Sequence, residues 1–168
     1  TTVGGLVAEP ANSGVSVSLH PRSQEELREL ILKLEGAMRA SPNVIDIPVT
    51  HYFADGLYVR EIFIPKGTLV TGKIHRTEHV NIVSQGDISV VTTHGTRRIT
   101  APYTVVAPRG AKECAYAHED TVWTTIHATR ETDLAKLEAD LIAPTFEALQ
   151  LAEAPRAIQE EIATLCLG

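Results

Sequence analysis

Between residues 44 and 129 the chain is a succession of short β-branched runs separated by turn signals, and this pattern limits its fold more than any other feature. The turns are marked by Asp55-Gly56, Pro65-Lys66-Gly67, Gln85-Gly86-Asp87, His94-Gly95 and Pro108-Arg109-Gly110. Between them lie Leu57 to Ile64, Thr68 to Ile74, Val80 to Val83, Ile88 to Thr92, Arg97 to Thr100, Tyr103 to Ala107 and Val122 to Ala128. Many short strands at such spacing predict an antiparallel sandwich or barrel. At 168 residues the chain is long enough for one domain with a full core.

The flanks read differently. Residues 1–21 are rich in Gly, Ser, Ala and Pro and predict an extended N-terminal arm, pinned on its own domain or on a neighbouring subunit. Within the segment 22–40, a helix is expected over residues 23–39. Ser23-Gln24-Glu25-Glu26 forms a capping box, and Leu27, Leu30, Ile31, Leu34 and Met38 follow at helical spacing. Gly36 weakens its end and Ser41-Pro42 stops it. The tail, residues 131–168, is helical again. Leu134, Leu137 and Leu141 share a face behind Asp133, Pro144 interrupts, and Pro155 opens a last helix carrying Ile158, Ile162 and Leu165.

Composition removes several classes. A net charge of −6 and the absence of any Lys/Arg-rich run argue against a nucleic-acid surface. No apolar run approaches the roughly 20 residues that span a bilayer. The first 20 residues lack the basic start and apolar centre of a secretion signal, and Thr1-Thr2 suits removal of an initiator Met, so a cytoplasmic location is expected. Cys114 and Cys166 match no metal or redox spacing and read as reduced, partly buried thiols. There is no Gly-x-Ser-x-Gly elbow, phosphate loop or dinucleotide fingerprint.

The stretch that carries chemistry runs Pro65-Lys66-Gly67, Lys73-Ile74-His75-Arg76-Thr77-Glu78-His79 and Gly86, followed by Gly95 and Pro108-Arg109-Gly110. It resembles the two sequence blocks of the cupin superfamily, over residues 60–128. The resemblance implies a mainly β fold: a single cupin-type antiparallel barrel, or jelly roll, over residues 44–130, with the N-terminal helix and C-terminal helices outside it. Aligned on Gly86, the family's Glu ligand position holds His79, its second His position holds His75 and its first holds Lys73. In the second block Glu113 stands at the His position and Ala117 at the Asn position. The usual three-His, one-Glu set is therefore altered, leaving His75, His79 and Glu113 as candidate metal ligands, with Lys73 nearby. Two imidazoles and a carboxylate suit a divalent transition metal such as Fe, Mn, Ni or Zn. Lys73 and Glu113 are the candidate catalytic groups, for proton transfer or for binding an anion. Loss of metal binding, leaving only a polar pocket, is the competing reading.

In Val122-Trp123-Thr124-Thr125-Ile126-His127, the residues Trp123, Thr125 and His127 share a face. If that face is the barrel interior, His127 joins the site. If it is the exterior, Trp123 packs under a helix, and this second arrangement is the one favoured. His51-Tyr52-Phe53 is expected to close one barrel end, His118-Glu119-Asp120 to form a polar turn, and His20 and His94 to be exposed. Two functions follow as expectations. The first is a metal-binding protein that acts on or binds a small polar metabolite at the barrel mouth. The second is a non-enzymatic oligomeric structural protein, a phage virion or accessory component, since the chain also resembles cupin-like proteins encoded by tailed phages. Homo-oligomerisation is expected under both, because it covers strand edges.

Overall fold

The computed structural model describes residues 2–7 and 23–151. The expected last helix after Pro155, Cys166, His20 and the rest of the arm from residue 8 lie outside the described residues. Twelve strands and three helices follow in the order β1 (Thr2–Val7), α1 (Gln24–Ala40), β2 (Val44–Ala54), β3 (Leu57–Ile64), β4 (Thr68–Thr71), β5 (Ile74–His75), β6 (His79–Gln85), β7 (Asp87–Thr92), β8 (Gly95–Thr100), β9 (Tyr103–Ala107), β10 (Cys114–Ala117), β11 (Thr121–Ala128), α2 (Leu134–Leu141), β12 (Ile142–Ala143) and α3 (Phe146–Leu151).

Ten strands join in the order β8-β7-β10-β4-β1-β2-β3-β11-β6-β9, every pair antiparallel, and the sheet curls into one near-closed barrel. The barrel that the family resemblance implies is thus present. The start of the expected arm is one of its staves: β1 pairs with β2 on one side and β4 on the other, joining the two halves of the sheet. Glycine allows this. A Cβ on Gly5 would stand 2.8 Å from Ile47 Cδ1 and 3.0 Å from Thr68 Cγ2. Gly86 is the second position that only glycine fills easily. It turns β6 into β7 at φ 102°, and a Cβ there would fall 2.6 Å from the Asp120 carbonyl oxygen.

The core occupies one half of the barrel. Ile47, Ile64, Val70, Val83, Ile88, Val90, Ile99, Ala115, Ala117 and Trp123 form its main cluster. Helix α1 has the expected capping box at Ser23 and Glu26. It buries Leu27, Ile31 and Met38 against the barrel, while Leu30, on the expected apolar face, is 42% exposed. The helix is fastened by the buried Lys112, whose Nζ lies 3.1 Å from Glu35 Oε2 and donates to the Gly72 carbonyl at 2.9 Å. Helix α2 is capped by Asp133, which accepts from the amides of Ala135 and Lys136. It packs Leu137 and Leu141 on Tyr58, closing the other half of the barrel. Among the described residues no helix is long and apolar enough to cross a membrane.

Candidate metal centre

Three neighbouring strands, β3, β11 and β6, carry their inward side chains in register, and the rows change character along the barrel. One row is Ile62, Trp123 and Val83; the next is Arg60, Thr125 and Asn81; the next begins with Tyr58 and His127. On β2, His51 stands opposite Arg60. Each strand therefore passes from apolar to polar over a few residues, and the change occurs at the same level on all three. Trp123 and His127 are 9% and 2% exposed, so the face they share is the barrel interior. The alternative of Trp123 outside the barrel under a helix is corrected accordingly.

At the polar end, His75 from β5, His79 from β6 and His127 from β11 converge. Each offers one ring nitrogen, and these nitrogens all lie within 4.8 Å of one another. Ring centroids are 4.0 Å apart for His75 and His79, 5.3 Å for His75 and His127, and 5.1 Å for His79 and His127. Burial sets their charge. Desolvation first, then the neighbouring His79 and His127, holds His75 down to about 2. Desolvation likewise lowers His127 to about 4, helped by His79 and Arg60. His79 is also lowered, desolvation outweighing its bond to the Thr77 carbonyl. At neutral pH the three rings are neutral and keep their lone pairs.

Hydrogen bonds orient part of this cluster. His79 Nδ1 donates to the Thr77 carbonyl at 3.2 Å, leaving Nε2 as the lone-pair nitrogen. Thr125 Oγ donates to Asn81 Oδ1 at 3.0 Å, which turns the Asn81 amide towards His79 Nε2 at a long 3.5 Å. Tyr58 stacks on His127 with centroids 6.1 Å apart, and its hydroxyl is 2.8 Å from His51 Nδ1. The buried Nδ1 atoms of His75 and His127 have no hydrogen-bond partner among the described residues. Buried polar atoms are normally satisfied. Three neutral imidazoles, two of them with an unsatisfied nitrogen, fit a transition-metal cation, for which imidazole is a suitable donor. The cluster could therefore hold a metal ion.

The residues singled out by sequence share one cavity of about 240 Å³, lined by Lys73, His75, His79 and Glu113 together with Arg60 and Asn81. Their roles separate within it. His75 and His79 belong to the trio, and the third nitrogen within reach is that of His127 rather than a Glu113 oxygen. Glu113 lies where this cavity meets a second, of about 320 Å³, both walled by Trp123 as well. Burial raises its carboxyl to about 7. Lys73 pairs not with Glu113 but with Glu138 of α2. His51 lines a narrow space beneath α2 with Tyr58 and His127. His94 is exposed, and His118 holds Ser89 Oγ at 2.8 Å beside the turn that follows β10.

No family model matches the chain, and no curated protein matches it. Solved structures with a partly similar fold include a cupin superfamily protein from Desulfitobacterium hafniense, 8% identical over 49% of this chain and 77% of that one, with a TM-score of 0.43. A cupin-like protein from Thermotoga maritima is 16% identical over 51% and 69% respectively, TM-score 0.43. KdgF from a Halomonas species is 19% identical over 51% and 81%, TM-score 0.43.

Proposed function

We propose that this chain, which has the fold of the cupin superfamily, binds a divalent transition metal (Fe, Mn, Ni or Zn) through His75, His79 and His127 and binds or transforms a small polar metabolite in the barrel cavity. The observation that carries this reading is the convergence of three neutral imidazoles, His79 and His127 buried and His75 half-buried, two with a buried nitrogen lacking any partner among the described residues. A bound divalent ion supplies Lewis-acid polarisation of an oxygen ligand.

The chain's own groups do the rest. His79 is held by Thr77 with Nε2 presented as a lone pair, and Tyr58 fixes the plane of His127. Glu113, with its carboxyl near 7, can release or take a proton at a carboxyl oxygen in the neutral range, the property wanted of a general acid or base. Lys73 is engaged by Glu138, so it holds α2 over the barrel end. Metal analysis of protein purified without chelator tests the reading. One equivalent of metal is expected, falling at least tenfold in His75→Ala and His127→Ala. Substoichiometric metal that neither substitution changes would overturn it.

A second reading, an oligomer with a structural role, is favoured by the outer face. Tyr52, Val59, Ile126, Val80 and Val106 stand directly opposite one another in sequence across β2, β3, β11, β6 and β9. Tyr52 and Val106 are 50% and 55% exposed. A second copy of the chain covering this apolar row would make a homo-oligomer. Light scattering decides it: the wild type should have at least twice the monomer mass, and Val106→Lys should reduce it. A monomeric wild type removes the support.

A further inference from the structure

We propose that Arg60 is an anion-binding residue and that the ligand of this cavity is a small carboxylic acid, its carboxylate clamped by the Arg60 guanidinium. The inference deepens the metal-centre reading and rests on it for the ligand's second contact, with the ion.

Arg60 lies on the inward face of β3 between Ile62 and Tyr58, in the row that contains His51, Thr125 and Asn81. It lines both the main cavity and the narrow space beneath α2. Its charge depresses the pKa of His75, His79 and His127 alike, so it sits within electrostatic reach of all three. Among the described residues it makes no hydrogen bond and no close ion pair. Arg60 is half-buried, and a cation partly removed from water is stabilised by an anionic partner. Desolvation does lower Arg60 below the ordinary guanidinium range.

Among the described residues the acids do not supply that partner. Glu138 is felt by Arg60 at a distance, but its carboxylate is engaged by Lys73. Glu61 alternates to the opposite face of β3 and accepts from Thr124 Oγ at 3.0 Å. Glu113 is pushed by its own burial towards the neutral acid. The cavity that Arg60 lines offers its guanidinium an anion from outside instead. A guanidinium presents a planar fork that matches a carboxylate with two parallel hydrogen bonds. The cavity, about 240 Å³, is smaller than the roughly 300–1,000 Å³ of drug-sized pockets, which favours a small acid. The three imidazoles are neutral, so an ion they hold keeps its full positive charge, and a second oxygen on the acid can meet it.

Calorimetry with glycolate and malonate as probes tests the assignment, with glycolamide and malonamide as uncharged counterparts and inorganic phosphate as a competing oxyanion. Metal content is measured on every sample. The metal-loaded wild type should bind the acids at least tenfold more tightly than the amides. Arg60→Gln should remove that preference with metal content unchanged, and Arg60→Lys, which keeps the charge but loses the fork, should weaken it severalfold. Equal binding of acid and amide by the metal-loaded wild type overturns the proposal while leaving the metal site standing, and needs no variant to fold. Unchanged acid binding in Arg60→Gln also overturns it, and tighter binding of phosphate overturns the carboxylate assignment. If no metal binds, yet the acid preference persists and depends on Arg60, the metal reading fails and the role of Arg60 is upheld.

Discussion

The two halves of the barrel interior are built on the same strands and differ in almost everything else. In one half Ile62, Ile64, Val83 and Trp123 meet Val70, Ile88 and Val90 from the opposite wall and form an apolar core. In the other half, two and four residues away along β3, β11 and β6, the inward positions hold Arg60 and Tyr58, Thr125 and His127, and Asn81 and His79. The apolar half supplies the free energy that closes the barrel. The polar half gives up apolar burial and leaves three imidazole nitrogens, on His51, His75 and His127, without partners among the described residues. Such a region is tolerated because the other half carries the fold, and it is where a ligand can add the missing interactions.

The largest expected effect lies in the apolar half. Ile88 is 0% exposed, and Ile88→Ala should cost about 2–5 kcal/mol, read as a lower urea midpoint at unchanged slope. Its metal content should stay that of the wild type. His127→Ala should do the reverse. In metal-free protein it should cost less than Ile88→Ala, since the lost ring leaves no hydrogen bond broken at its Nδ1. With metal present at a thousand times its Kd, the wild type should gain about 4 kcal/mol, and the variant should gain almost none. A metal-free His127→Ala protein as unstable as Ile88→Ala would erase the contrast and make the polar half structural.

Thr125→Val probes the boundary between the halves. It removes the 3.0 Å donation to Asn81 Oδ1 and leaves a buried acceptor unpaired, which costs about 1–3 kcal/mol. The Asn81 amide is then free to turn away from His79. Thermal melts should show the loss in both metal-free and metal-loaded protein, with metal affinity weakened by less than in His127→Ala.

The apolar half was far more legible in the sequence than the polar one. Gly56, Gly67, Gly86, Gly95 and Gly110 all take positive φ, so the turn signals that divided the chain into strands were physically required. β3 and β9 coincide with the runs Leu57 to Ile64 and Tyr103 to Ala107. β10, Cys-Ala-Tyr-Ala, carries no β-branched residue, and only pairing with β4 and β7 makes it a strand. His75 and His79 stood in a motif and could be named. His127 could be named only on the condition that its face is the interior, because alternation tells which residues share a face but not which face is inside. That is decided by the pairing of Trp123 with Ile62 and Val83, which are 61 and 40 positions away in the chain. The Lys73 to Glu138 pair, 65 residues apart, depends on where α2 docks and has no local signature.

Glu113 gives the smallest effect and the sharpest test of whether the two halves are coupled by charge. Glu113 lines both cavities, as Trp123 of the apolar half does, and burial raises its carboxyl to about 7 from an ordinary 4.5. Between those two values the folded chain holds more protons at this site than the unfolded chain, so its contribution to stability falls as pH rises through the window. The histidines act in the opposite direction. Their folded values lie below 6.5, the unfolded chain binds more protons there, and stability falls as pH drops beneath 6.5. Comparing Glu113→Gln with the wild type in metal-free protein cancels the histidine contribution, since glutamine resembles the neutral acid at every pH. The variant should match the wild type near pH 4.5 and become relatively more stable, by on the order of 1 kcal/mol, above pH 7. A difference that does not change between pH 4.5 and 8 would mean that Glu113 is already ionised and solvated in the folded chain. The boundary between the apolar and the polar half would then lie on the apolar side of Glu113.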